Sequence, residues 1–211
     1  LVELNQQAGR PVDLAATNRR LREAFLAIKE IVDSARNVEL VKLHGGVLPR
    51  EPVDLCAVFA DAERMMQEKL ARKRISVRRI AWPEQALVLA EPRLLRLSVI
   101  ANALSNAIKF SRSGTTIDAE IRHKGRDVVL RIRDHGVGIP AEMRETFARS
   151  GRINSRPGTM NEEGTGFGVL LMRDFTQAMG GSFRLESRTT EESPSDHGTT
   201  VEIILRAPGT A

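Results

Sequence analysis

Three short stretches of the chain combine residue types that can hold an oxygen-rich anion. In RLLRLSVIANALSNAIKFS (93–111), Asn102, Asn106 and Lys109 recur at spacings of four and three, which places them on one face of a helix. Amides are poor helix-interior residues because their side chains compete for backbone hydrogen bonds, so two on one stripe beside a lysine point to a ligand. An Asn carbonyl oxygen suits Mg2+, which takes oxygen ligands and shares them with phosphates. Lys109 can neutralise a phosphate. In RDHGVGIP (133–140), Asp134 closes a strand, and Gly136 and Gly138 remove side chains where the backbone would approach a flat ligand. A carboxylate held there can accept a hydrogen bond from an exocyclic amine such as N6 of adenine. In GTGFG (164–168), Gly164, Gly166 and Gly168 precede a helix, whose free N–H groups and dipole form an anion site. Each stretch alone has a plainer alternative: a solvated polar face, a glycine-rich turn, a simple helix start. The glycine triplet is not G-x-x-x-x-G-K-[ST], and no dinucleotide-binding βαβ unit is present.

The elements that must position these residues alternate in period. Residues 53–72 read as helix, ISVRRI and ALVLA as strands, and 91–111 as a helix that turns Leu94, Leu97, Ala101, Leu104 and Ile108 toward a sheet. TTIDAEIRH and DVVLRIRD form a hairpin turned at Lys124–Gly125. Residues 136–168 are polar and without clear period, and are followed by a helix over 166–179 and a last strand pair, SFRLESRT and GTTVEIIL. The fold class is α+β: a two-layer α/β sandwich, with helices on one face of a mixed sheet. It is preceded by a helical-bundle segment. There Leu14, Leu21, Ile28 and Ala35 recur every seven residues, with Ala24, Ile31 and Val38 three after. That stripe needs a cover, either a second copy of the chain or the rest of this one. HGGVLPREP (44–52) breaks the helix, giving expected units of 1–45, a hinge at 46–52, and 53–211.

Composition narrows the classes. The 32 Lys and Arg against 27 Asp and Glu give a net charge of +5, which suits an anionic ligand or a solvated basic surface. Tyr is absent and Trp occurs once, so stacking platforms for nucleic acid are not evident and no nucleic-acid partner is expected. Cys56 stands alone, which excludes an internal disulfide and fits a reducing cytoplasm. No apolar run reaches membrane-spanning length, so no membrane contact is expected of these residues.

In combination and in this order, NALSNAIKFS, DHGVGIP and GTGFG resemble the N, G1 and G2 boxes of the ATP-binding domain of sensor histidine kinases. Its fold is the Bergerat fold of the GHKL superfamily. The resemblance runs from about Pro52 to Leu205. It implies ATP and Mg2+ as cofactors, with Asn106 on Mg2+, Asn102 beside the phosphates, Lys109 on a phosphate and Asp134 on the adenine amine. Gly136 and Gly138 would line the base pocket, and Phe147 would be the F-box aromatic. Gly164, Thr165, Gly166, Phe167 and Gly168 would form the phosphate turn, and Thr200 in GTTVEI would reach the adenine side. The span at about 140–164 corresponds to the ATP lid, where Arg149, Arg152 and Arg156 put positive charge near the phosphates. The resemblance also implies a homodimer through the N-terminal helix and a response-regulator receiver domain as partner.

Two departures stand out. Phe167 occupies a position where Leu is usual; both are apolar. More consequentially, none of His44, His123, His135 and His197 sits in a phosphoacceptor pattern. The acceptor is expected upstream of Leu1; the alternative is a degenerate kinase that binds nucleotide and signals by dimer contacts. Related ATPases carry a Glu four residues before the Mg2+-binding Asn as general base. Here that position is Asn102, which takes no proton, so transfer is expected over hydrolysis. Anti-sigma-factor serine kinases share the boxes, but the bundle helix and hinge suit a histidine kinase better.

Overall fold

A computed structural model describes Thr17 and residues 48–150, 156–160, 162 and 166–209. The stripe over 14–43, the glycines of the hinge, Arg152, Gly164 and Thr165 lie outside the described residues. Residues 48–52, expected as hinge, are docked on the domain. Leu48 is buried with its N–H donating to Ala178 O, and Arg50 donates to Met179 O at 3.2 Å.

Strand β1 (Glu51–Asp54) pairs antiparallel with β3 (Leu87–Ala90). Asp54 then caps helix α1 (Leu55–Met65), its Oδ1 accepting from Cys56 N and from Ala86 N, both at 3.1 Å. One carboxylate thus starts the helix and holds the chain entering β3. Helix α2 (Gln67–Lys73) ends in a left-handed Arg74 and leads into β2 (Ser76–Ile80). Strands β4 (Thr116–Lys124), β5 (Asp127–Asp134), β6 (Ser182–Arg188) and β7 (Gly198–Arg206) complete a five-stranded sheet in the order β2-β4-β5-β7-β6. Only the β2–β4 pair is parallel. The β4–β5 turn sits one residue later than its sequence suggests. Lys124 pairs with Asp127, which leaves Gly125 (φ 62°) and Arg126 in the loop.

The sheet alternates with the period of two that one-sided burial requires. Ile117, Ala119, Ile121, Leu130, Ile132, Val201, Ile203 and Leu205 are buried under the helices. The opposite face carries Asp118, Glu120, Arg131, Arg133 and Glu202, partly paired across strands, with Arg131 3.7 Å from Glu120. This is the α+β two-layer sandwich expected.

The long helix is composite. A single turn α3 (Pro92–Leu94), capped by Glu91, runs through a π-helical stretch (Leu95–Ile100) into α4 (Ala101–Phe110). Ala101 N donates to Arg96 O, five residues back. Leu94 and Val99, and Leu95 and Ile100, are therefore buried at a spacing of five. Leu97, expected toward the sheet on α-helical spacing, is 37% exposed instead.

Two more helices frame the site. Helix α5 (Ala141–Ser150) lies in the stretch whose sequence shows no period; none of its residues is buried, so no apolar stripe marks it. Helix α6 (Gly168–Ala178) packs Leu171, Met172 and Phe175 into the core.

Candidate functional site

Helix α4 presents Asn102, Asn106 and Lys109 on a half-buried face beside its fully packed one. Asn102 is tied to its own helix, Nδ2 donating to Ser98 O at 2.7 Å. The Asn106 side chain makes no hydrogen bond among the described residues, an unusual state for a half-buried amide. Both amides border the start of α6: a Cβ on Gly168 would lie 3.6 Å from Asn106 Nδ2 and 3.7 Å from Asn102 Oδ1. The amide face and the N-terminal end of α6 are thus brought to one cleft, next to Gly166 in a left-handed conformation (φ 78°).

At the other end, Asp134 closes β5 and is 5% exposed. Its Oδ1 accepts from Gly136 N at 2.9 Å and Thr199 N at 3.1 Å. Burial raises its pKa to about 6, against the pull of those two N–H groups and of nearby His135 and Arg133. His197 Nδ1 lies 2.6 Å from Gly136 O, and His135 Nε2 3.0 Å from Asp118 Oδ2 on the outer sheet face.

Gly136 and Gly138 are both required by close backbone neighbours within the fold. A Cβ on Gly136 would stand 2.3 Å from Phe110 O, and one on Gly138 (φ 67°) 1.9 Å from Arg188 O. The glycines let this turn lie flat against the end of α4 and the end of β6. Gly138→Ala should therefore lower the unfolding free energy by at least about 2 kcal/mol in urea titrations, from backbone strain plus overlap. Gly125→Ala, left-handed but with open space around it, should cost about 1 kcal/mol.

Thr200, expected on the adenine side, lies on the sheet face opposite to Asp134. It pairs with Arg133 and shares the outward face, whereas Thr199 pairs with Asp134 on the inward one. The strand begins at Gly198, so the inward threonine is the first of the pair. Thr199 Oγ1 is 2.9 Å from Ser187 Oγ, and Ser187 Oγ also accepts from Ile139 N at 2.8 Å.

Phe147 on α5 meets Phe183 edge to face, ring centres 6.3 Å apart, with the Arg173 guanidinium 5.7 Å from its own ring. Arg144 secures the same helix. It donates to Ile139 O and Ser187 O and forms a two-pronged pair with Glu192, 2.6 and 2.8 Å, that pulls the Glu192 carboxyl down to about 2. Of the three arginines expected near the phosphates, Arg149 is exposed on α5 and Arg152 is not described. Arg156 lies 4.7 Å from the Phe110 ring and donates to Gly138 O. Lys109 Nζ lies 5.0 Å from the same ring. Phe167 is exposed at the mouth of the cleft.

The residues missed from sequence are the supports: Arg144, Glu192, Ser187, Thr199 and the buried Lys73. For each, the tertiary partner comes from a segment distant in sequence and is not marked by local composition.

Residues 91–209 match the family described as "Histidine kinase-, DNA gyrase B-, and HSP90-like ATPase". The cell-division control histidine kinase PdhS of Brucella canis is 28% identical over 179 residues, covering 80% of this chain and 17% of that protein. The chain thus spans about a sixth of that relative's length. Among solved structures, the Acinetobacter baumannii histidine kinase AdeS superimposes with a TM-score of 0.69 at 18% identity, over 95% of this chain and 87% of that one. The mycobacterial sensor histidine kinase MprB gives 0.58 at 25% identity, over 76% and 99%. The order of the three boxes, the sheet that carries them and the matched span agree: this chain belongs to the histidine kinase-, DNA gyrase B- and HSP90-like ATPase family, and the relatives and structures named above are histidine kinases.

Proposed function

We propose that the cleft between α4, the 134–138 turn and the start of α6 binds ATP with Mg2+ and, within a longer protein, presents the γ-phosphoryl to a histidine, from which it passes to a receiver-domain aspartate. The observation that carries this reading is the convergence of Asp134 and the Asn102–Asn106–Lys109 face on one cleft. Asp134 Oδ1 is occupied by two backbone N–H groups, so Oδ2 is left to accept from the adenine amine. Thr199 holds that carboxylate in place. Asn102 and Asn106 face the phosphate end, and Lys109 supplies positive charge there.

The donor set fits Mg2+ of the phosphate-bridged kind. Asn106 offers one neutral oxygen, and no group of three or more His, Cys, Asp or Glu side chains gathers among the described residues. An ion held this way takes its remaining ligands from phosphate and water. Bound there, it would offset charge on the transferred group. Asn102 in place of a carboxylate leaves no base one helical turn before Asn106 to activate water, which favours transfer to another residue over hydrolysis. The N-terminal stripe supplies the dimer contact, with the domain boundary ahead of Leu48.

The test is a titration calorimetry comparison of ATP, GTP and ADP in Mg2+. An ionised Asp134 attracts the adenine amine and repels the guanine carbonyl oxygen. ATP should bind at least about tenfold more tightly than GTP. Equal affinities would overturn the adenine assignment.

A further inference from the structure

Lys73 ends α2, far in sequence from every box, yet its side chain is 1% exposed. Its ammonium donates to Ile108 O and Lys109 O at 2.8 Å each and to Ser111 O at 3.3 Å, the carbonyls at the C-terminal end of α4 that have no partner within the helix ladder. A cation belongs there, because those carbonyls carry the negative end of the helix dipole. The same ammonium also reaches across the cleft wall, donating to Thr159 Oγ1 at 2.7 Å and pairing with Glu162 Oε1 at 2.6 Å.

What it gathers is a tight turn. Gly158 N donates to Glu162 O at 2.9 Å, Met160 N to Glu162 Oε2 at 2.8 Å, and Thr159 N to Lys109 O at 3.0 Å. The turn rests directly on the Lys109 side chain: a Cβ on Gly158 would lie 2.6 Å from Lys109 Cγ. The stem of Lys109 is therefore walled by this turn on one side and by the Phe110 ring near its head.

Resting on the ATP reading above, we propose that Lys73 is a positioning residue for Lys109. By fastening the Thr159–Glu162 turn to the end of α4, it fixes the direction in which the Lys109 ammonium meets the nucleotide phosphates. Lys73 itself touches no nucleotide. Its effect is carried by the two carboxylate and hydroxyl contacts to the turn, and these are separable from its capping of α4.

That separability defines the experiment. Lys73→Met removes both roles and leaves Glu162 without its cation, so it is expected to unfold readily. Glu162→Gln keeps the cap on Ile108, Lys109 and Ser111 and loses only the ion pair. In Glu162→Gln, hydrogen exchange at residues 156–160 should rise about tenfold while β5 and β7 keep their protection. Affinity for ATP with Mg2+ should fall about tenfold, while affinity for adenosine, which has no phosphates, stays within about twofold. On a Lys109→Met background, Glu162→Gln should have no further effect on ATP, because the group it positions is gone. Wild-type affinity for ATP in Glu162→Gln, or an equal loss for adenosine, would overturn the proposal. Failure of the wild-type protein to bind either ATP or adenosine would instead overturn the nucleotide reading on which it stands.

Discussion

Asp134→Asn should lower ATP affinity about 100-fold while leaving the fold intact. Asn keeps one oxygen to accept from Gly136 N and Thr199 N, so the local backbone has no reason to move. Its amide nitrogen, however, replaces the oxygen offered to the adenine amine, and two donors then face each other. The two consequences separate by pH as well. Burial holds the Asp134 carboxyl at about 6, above the ordinary aspartate value of 3.8. Between those values the native state binds more protons than the unfolded chain, so wild-type stability falls as pH rises through that window and is level above it. Binding runs the other way: it needs the carboxylate, so ATP affinity falls as pH drops below about 6. Asp134→Asn should flatten the part of the stability profile that Asp134 contributes, read by urea unfolding at a series of pH values. Unchanged ATP affinity in calorimetry would remove Asp134 from the adenine site.

Asn106→Ala should cancel the gain in ATP affinity that Mg2+ provides. With chelator present, the variant should bind ATP within about threefold of wild type, since the Asn106 side chain makes no hydrogen bond among the described residues. With Mg2+ added, wild type should tighten about 10–100-fold and the variant should not, because the side-chain oxygen proposed to hold the ion is gone. Asn106→Asp is the informative companion. It restores an oxygen but adds a charge that repels phosphate, so Mg2+ binding and ATP binding should part. A Mg2+ response in Asn106→Ala equal to that of wild type would exclude this residue as the ligand.

The placement of the candidate residues was legible in sequence wherever chemistry and local period coincide. Asn102, Asn106 and Lys109 could be placed on one face because α4 is regular over that stretch. Asp134 could be placed because strand and turn signals meet there. Legibility failed where one residue of register decides the outcome. Thr200 and Thr199 differ only in which face of β7 each takes, and that depends on pairing with β5. Leu97 was misplaced because an α-helical count was carried through Leu95–Ile100, where the spacing is five. Helix α5 was hidden because none of its residues is buried. Lys73 was the least legible, since in ARKRIS it reads as one more solvated cation and only its docking against α4 reveals otherwise. For Gly136 and Gly138 the residue type was informative, while their packing against Phe110 O and Arg188 O shows only in three dimensions.

The π-helical turn ahead of α4 has a consequence for how this domain can vary. One backbone segment must satisfy two surfaces, the Leu94–Leu95 anchor in the core and the amide face on the cleft. An α-helix advances about 100° per residue, so a uniform helix would fix the angle between anchor and face by residue count alone. The extra residue in Leu95–Ile100 works as a phase adjuster between them. Insertions or deletions on either side of it re-aim the amides as a rigid set, whereas changes within it let the anchor drift and leave the amides aimed. The aim of the cleft is thus tuned by a length, and a helix whose sequence looks like one continuous element behaves as two, joined by an angular coupling.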